Sequence, residues 1–108
     1  MMVALVQDLF FAARVESLAK TSGVPAQVTT SPKEFVRWVQ EMAPSHVLLD
    51  LNMATDEILA VVASVPQVAG FGPHVKREQF LNACQRGIKT LWANSALPDR
   101  LPGWLLQG

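Results

Sequence analysis

The strongest constraint on the fold is a run of apolar residues, HVLLDLN at 46–52, that contains a single acidic side chain. A strand with one face in water alternates apolar and polar residues, whereas a parallel strand covered on both faces is apolar almost throughout. This run is therefore predicted to be a central strand of a parallel sheet. Its aspartate, Asp50, needs an explanation of its own, because a buried strand rarely holds a carboxylate away from its end.

Short apolar runs alternate with amphipathic segments along the rest of the chain. Strands are predicted at 2–6, 26–30, 46–52, 67–72 and 89–93, with helices between them at 8–22, 31–43, 55–65 and 74–87. This alternation, with right-handed crossovers, predicts a doubly wound parallel α/β sheet of flavodoxin type in the order 2-1-3-4-5. Residues 1–108 are expected to form a single domain. Pro98 and Pro102 predict only a shortened last helix.

Local signals support several of these elements. SPKE at 31–34 predicts a helix start, with Ser31 as the N-cap and Glu34 completing a capping box. The helix at 74–87 is expected to bury three apolar side chains, those of Phe80, Leu81 and Cys84. His46 is expected to lie on the surface.

Composition excludes several classes of function. Nine basic and nine acidic residues give zero formal net charge, so no long-range field attracts nucleic acid or a membrane surface. Cys84 is the only cysteine and cannot form an internal disulfide. The N-terminus lacks the basic region of a signal peptide, and no apolar run reaches transmembrane length. We therefore expect a cytoplasmic protein.

Two aspartates are expected to converge in space. Ligand sites in doubly wound sheets lie beyond the carboxyl ends of the strands. Asp8 follows the first predicted strand and Asp50 ends the third. Both carboxylates should therefore face one crevice.

Three motifs at these positions resemble the receiver domain of bacterial response regulators. VLLDLNM at 47–53 resembles the receiver segment around the phosphate-accepting aspartate, and LVQDLF at 5–10 resembles the acidic end of its first strand. ACQRGIKTLWAN at 83–94 resembles its fourth helix and fifth strand. The resemblance extends to about Ser95. It implies that Asp50 occupies the phosphoacceptor position and that Mg²⁺ would lie at Asp8, Asp50 and the backbone carbonyl of Asn52.

The departures from the receiver pattern fall on the residues that switch such domains. Gln7 replaces the first acid of the metal site, and Gly72 replaces the hydroxyl that contacts the phosphoryl group. Asn94 replaces the lysine, and Ser95 replaces the proline that follows it. Leu91 stands at the aromatic switch position. The resemblance therefore implies a degenerate receiver, or pseudo-receiver, that lacks most of the parts needed for switching.

Three functions remain open from the sequence. The first is a non-enzymatic protein–protein interaction module, binding a partner or itself, with an apolar surface around Trp92, Trp104 and Leu105 as its candidate interface. The alternative for this tail is that LPGWLLQ at 101–107 folds back and covers its own sheet edge. The second is a phosphorylatable regulator in which Asp50 accepts the phosphoryl group and Mg²⁺ lies at Asp8. The third is a small-molecule binder at the same crevice, with Asp8, Asp50, Phe10 and His74 on its rim. No cofactor is expected beyond that weak Mg²⁺ site.

Overall fold

The computed structural model describes residues 1–107, so Gly108, the last residue of the predicted domain, lies outside it. The five strands are β1 (Met2–Leu5), β2 (Ala26–Thr29), β3 (His46–Asp50), β4 (Gln67–Gly72) and β5 (Thr90–Ala93). The five helices are α1 (Leu9–Thr21), α2 (Pro32–Met42), α3 (Asp56–Val62), α4 (Arg77–Gln85) and α5 (Leu97–Leu105). Two short 3₁₀ turns follow β3 and β5, at Leu51–Met53 and Asn94–Ala96.

All strand pairings are parallel, and the strand order is β2-β1-β3-β4-β5. The predicted fold class and strand order are therefore confirmed. The central strand β3 is buried along its whole length, which is why its sequence is apolar rather than alternating. Its last residue, Asp50, pairs with Phe71 of β4, so the carboxylate sits at the carboxyl edge of the sheet.

Each face of the sheet carries its own apolar core. Side chains alternate along β1, so Met2 and Ala4 face one side while Val3 and Leu5 face the other. We call the first side the α1/α5 core and the second the α2/α3/α4 core. Their buried helical residues include Val15, Leu101 and Trp104 on the first side and Phe35, Ile58 and Leu59 on the second. The helices therefore cover the sheet on both faces.

The start of α2 differs in one detail from the predicted capping box. The Ser31 hydroxyl accepts a hydrogen bond from the Glu34 N–H, as predicted. The Ser31 N–H donates instead to Thr29 Oγ1 at 3.0 Å, and the Thr29 hydroxyl donates to Glu34 Oε1 at 2.7 Å. Thr29 thus links the two halves of the box, which ties the end of β2 to the first turn of α2.

The last helix corrects a prediction. Pro98 and Pro102 predict a shortened last helix, and α5 spans nine residues, as many as α4. Trp104 and Leu105 are buried at 3% and 4% exposure in the α1/α5 core, so the expectation that they form an interface is wrong. Trp92 is half-buried and packs edge-on against Trp104, with ring centroids 5.5 Å apart. The tail folds back over its own sheet.

The packing of α4 is also lighter than predicted. Ala83 is its one buried residue, and Phe80 is half-buried. Leu81 and Cys84 are exposed, so the prediction that they are buried is wrong. Helix α4 therefore rests on the sheet along a narrow contact. No helix within residues 1–107 is both long and apolar enough to cross a bilayer.

His46 is buried rather than exposed, because α5 returns over the amino end of β3. Its ring meets the Trp104 indole edge-on at 4.8 Å, and its Nδ1 lies 2.8 Å from the Ser45 hydroxyl. Burial lowers the pKa of His46 below 6.5, while the backbone at Trp104 and Gln107 opposes the shift. The folded state therefore favours the neutral imidazole.

This burial predicts a pH dependence of stability. Because the folded pKa lies below the unfolded value of 6.5, the unfolded chain binds more protons as the pH falls. The contribution of His46 is thus fully present above pH 6.5 and is lost as the pH drops towards the folded pKa. We expect urea unfolding at about pH 7.5 and about pH 5 to show a larger loss for the wild type than for His46→Gln. Equal losses in the two chains would contradict this account.

Candidate functional site

The two aspartates meet at the carboxyl edge of the sheet, as the strand pattern requires. They line a depression of about 210 Å³. Its wall is formed by Gln7, Asp8, Phe11, Asp50, Asn52, Phe71 and Asn94. No lysine, arginine or histidine is among the lining residues, so two carboxylates and three carboxamides set its polarity.

Asp50 is buried, and both of its carboxylate oxygens are used within the fold. Oδ2 accepts a hydrogen bond from the Gln7 N–H at 3.0 Å, and Oδ1 accepts one from the Asn52 N–H at 3.0 Å. The carboxylate therefore fastens the connection after β1 to the 3₁₀ turn after β3. This explains why a central strand ends in an aspartate.

Asp8 performs a similar task at the start of α1. It is the N-cap residue, and its Oδ1 accepts hydrogen bonds from the Phe10 N–H at 2.7 Å and the Phe11 N–H at 3.2 Å. A carboxylate at this position also complements the helix dipole. Asp8 is exposed, and its Oδ2 accepts no hydrogen bond among residues 1–107.

The donor set does not fit a dedicated Mg²⁺ site. Mg²⁺ prefers anionic oxygen ligands in near-octahedral geometry. Residues 1–107 contain no group of three or more His, Cys, Asp or Glu side chains that could hold a metal ion. Gln7 contributes a neutral side chain where the receiver pattern has an acid.

Gln79 of α4 fills the space beside Gly72, and sequence reasoning did not identify it. Its Nε2 donates to Asn52 Oδ1 at 2.9 Å, which joins α4 to the turn after β3. A Cβ built on Gly72 would lie 3.4 Å from Gln79 Oε1, an ordinary contact distance. A glutamine on an exposed helix is too common to mark a site, so no sequence signal singles out this residue.

The two glycines of β4 differ in how much space surrounds them. A Cβ on Gly70 would approach Leu51 Cδ2 to 2.8 Å and Leu91 Cδ2 to 3.1 Å, so only glycine fits without a shift. Gly72 has room for a small side chain. The missing hydroxyl at position 72 therefore has no steric cause in this fold.

The residues in β5 and directly after it fall into two groups. Asn94 lines the depression, and Ser95 is exposed beside it. Leu91 packs against the α2/α3/α4 core, whereas its neighbour Trp92 packs against the α1/α5 core. The aromatic ring of β5 thus lies on the opposite face of the sheet from α4.

Two of the four residues predicted for a small-molecule rim do not line the depression. Phe10 is 90% exposed and His74 is exposed, and only the aspartates line it. Phe11 lines it instead and stacks on Phe71, with centroids 5.2 Å apart. The depression is smaller than the roughly 300–1,000 Å³ of most small-molecule pockets.

Comparison with solved structures identifies the fold. A signal receiver domain from Vibrio parahaemolyticus superposes with a TM-score of 0.78 at 16% identity, covering 94% of this chain and 83% of that one. A response regulator receiver protein from Burkholderia phymatum gives 0.77 at 18% identity, with 96% and 93% covered. A receiver domain from Rhodospirillum rubrum gives 0.68 at 15% identity, with 98% and 92% covered.

The chain therefore has the CheY-like receiver fold, as the sequence motifs predict. No protein-family model matches the sequence. No curated protein matches it either. At these identities the likeness shows the architecture alone.

Proposed function

We propose that this chain is a non-enzymatic signalling module of the receiver type, which acts by binding other proteins and is not switched by phosphorylation of Asp50. The observation that carries this proposal is the hydrogen bonding of Asp50. Both carboxylate oxygens already accept backbone N–H groups, and no cationic side chain lines the depression. The carboxylate therefore has a structural task that does not depend on a phosphoryl group.

The lysine and the hydroxyl that this chain lacks relative to the receiver pattern have an energetic consequence. A charge-assisted hydrogen bond from a lysine to a phosphoryl oxygen contributes roughly 1.5–3 kcal/mol. Asn94 cannot supply that charge, and Gly72 has no hydroxyl to form a contact specific to one state. A modification without differential contacts shifts no conformational equilibrium. Phosphorylation of Asp50 would therefore leave the fold in its existing state.

Gln79 supports the same proposal from the other side of the site. Its amide joins α4 to the turn after β3 through Asn52 and covers Gly72. This contact is present without any modification of Asp50. It holds α4 in the position that a switch would need to change.

The second candidate is a phosphorylatable regulator with Mg²⁺ at Asp8 and Asp50. The observation in its favour is that both carboxylates line one depression. The two candidates differ in what they predict for a phosphoryl mimic, so one experiment separates them.

The experiment is an amide NMR titration with Mg²⁺ and then with beryllofluoride. We expect no saturable shifts in the wild type at millimolar Mg²⁺, with or without beryllofluoride. The triple variant Gln7→Asp/Gly72→Ser/Asn94→Lys restores an acid, a hydroxyl and a lysine, and we expect it to respond near Asp8 and Asp50. Asp50→Asn in that background is the negative control. Wild-type shifts that spread into β5, and that Asp50→Asn removes, would overturn the proposal in favour of the second candidate.

A further inference from the structure

Large apolar side chains are exposed at the carboxyl edge of the sheet, around the depression. Leu9 and Phe10, in the first turn of α1, are 74% and 90% exposed. Val75, in the connection after β4 at the same edge, is 73% exposed. Half of the six large apolar residues exposed within residues 1–107 therefore lie at this one edge of the molecule. We call Leu9 and Phe10, together with the depression beside them, the docking patch.

The centre of the docking patch is anionic and has no cationic side chain. Asp8 and Asp50 line the depression, and no cationic side chain lines it with them. Asp50 is 6% exposed, so its charge is largely removed from water and retains only backbone N–H donors. Removing a charge from water is costly unless it is paired, and a cation entering the depression would supply that pairing.

Resting on the proposed function, we infer that the docking patch binds a protein segment that places one arginine or lysine in the depression and apolar side chains on Leu9 and Phe10. A monovalent side-chain cation suits the depression better than Mg²⁺, because it needs no octahedral set of anionic ligands. Asp8 lines the depression, and its Oδ2, which has no hydrogen bond among residues 1–107, is the acceptor for this cation. Phe11 also lines the depression, and an aromatic ring can attract a guanidinium.

Cationic side chains of the chain itself also lie at this edge. Lys76 and Arg77 lie at the start of α4, and both are exposed and outside the depression. Lys76→Ala therefore serves as a control, because it should leave binding unchanged if the cation comes from the partner.

The test uses a synthetic peptide, acetyl-Ile-Leu-Arg-Leu-Ile-amide, titrated into the isotope-labelled chain and followed by amide NMR. Two matched peptides accompany it. One carries citrulline, the neutral isostere of arginine, and the other carries alanine at all four apolar positions. We expect saturable shifts centred on residues 7–11 and 50–52 with the first peptide, with a Kd on the order of 1 mM or below. The affinity of either matched peptide should be lower by a factor of about five or more.

Protein variants locate the interaction. Asp8→Asn keeps the N-cap and removes the charge, and we expect about fivefold weaker binding that is less sensitive to salt. Phe10→Ser changes an exposed side chain and should weaken binding by a similar factor. Leu81→Ser, at a 60% exposed apolar residue of α4, is the matched control and should bind like the wild type.

Three results would overturn the inference. They are equal binding of the citrulline peptide, wild-type affinity in Asp8→Asn, and the absence of any response to the arginine peptide at millimolar concentration. The beryllofluoride titration tests the proposed function independently, so a flat peptide response combined with a flat beryllofluoride response rejects the inference alone.

Discussion

Replacing Trp104 by alanine is expected to lower the free energy of unfolding by about 3–5 kcal/mol. The indole is 3% exposed and contacts His46 and Trp92 edge-on, at centroid distances of 4.8 and 5.5 Å. The substitution removes the largest of the side chains by which α5 packs against the sheet. Domains of this size are stable by roughly 5–15 kcal/mol, so this one change would remove a large share of the total.

Denaturant unfolding measured by far-ultraviolet circular dichroism checks this expectation. Leu106→Ala is the matched control, because Leu106 is an apolar residue two positions after Trp104 and is 71% exposed. Its stability should stay within about 0.5 kcal/mol of the wild type. A loss below about 1 kcal/mol in Trp104→Ala would mean that α5 does not contribute to the core as described.

Replacing Asp50 by alanine is expected to destabilise the fold by about 2–4 kcal/mol. The change leaves the Gln7 and Asn52 N–H groups, at present 3.0 Å from the carboxylate oxygens, without their acceptor. Each unsatisfied buried donor costs about 1–3 kcal/mol, and partial access of water to these groups limits the sum. A residue kept only for phosphoryl chemistry would show no such loss.

The same unfolding assay measures this effect, with Asp50→Asn and Asp8→Asn as comparisons. Asp50→Asn retains one oxygen acceptor, so its loss should be smaller than that of Asp50→Ala. Asp8→Asn retains the N-cap and should stay close to the wild type. Unchanged stability in Asp50→Ala would contradict the structural task assigned to this carboxylate.

The fold was predictable because its signals are local. Apolar runs, the Ser31–Pro32 helix start and the glycine after α1 each fix the end or type of one element, and their alternation leaves few topologies. Gly23 has φ +75, the left-handed conformation that its position at the end of α1 requires. The convergence of Asp8 and Asp50 follows from the same strand order.

The burial of the last helix was not predicted, because its prolines were given more weight than the spacing of its apolar residues. Pro102 inside a helix costs about 3 kcal/mol, which argues against α5. The residues Leu97, Leu101, Trp104 and Leu105 nevertheless follow the helical spacing i, i+4, i+7, i+8, and all are buried. Burial of these four side chains against the sheet outweighs the proline penalty.

Other features depend on tertiary contacts that no local pattern records. His46 is buried only because α5, which begins 51 residues later, returns over the amino end of β3. Gln79 reaches the site only because α4 packs beside the turn after β3. The sequence therefore identified the acidic residues of the site and missed the amide that covers it.

The arrangement of the indoles has an experimental consequence. The chain holds three tryptophans and no tyrosine, and Trp92 and Trp104 lie together on one face of the sheet while Trp38 packs on the other. Ultraviolet emission therefore arises from two separate sources, one for each layer of helices. In a Trp38→Phe chain, intrinsic fluorescence would come from Trp92 and Trp104 alone. It would therefore report the packing of α5 on the sheet without an attached dye.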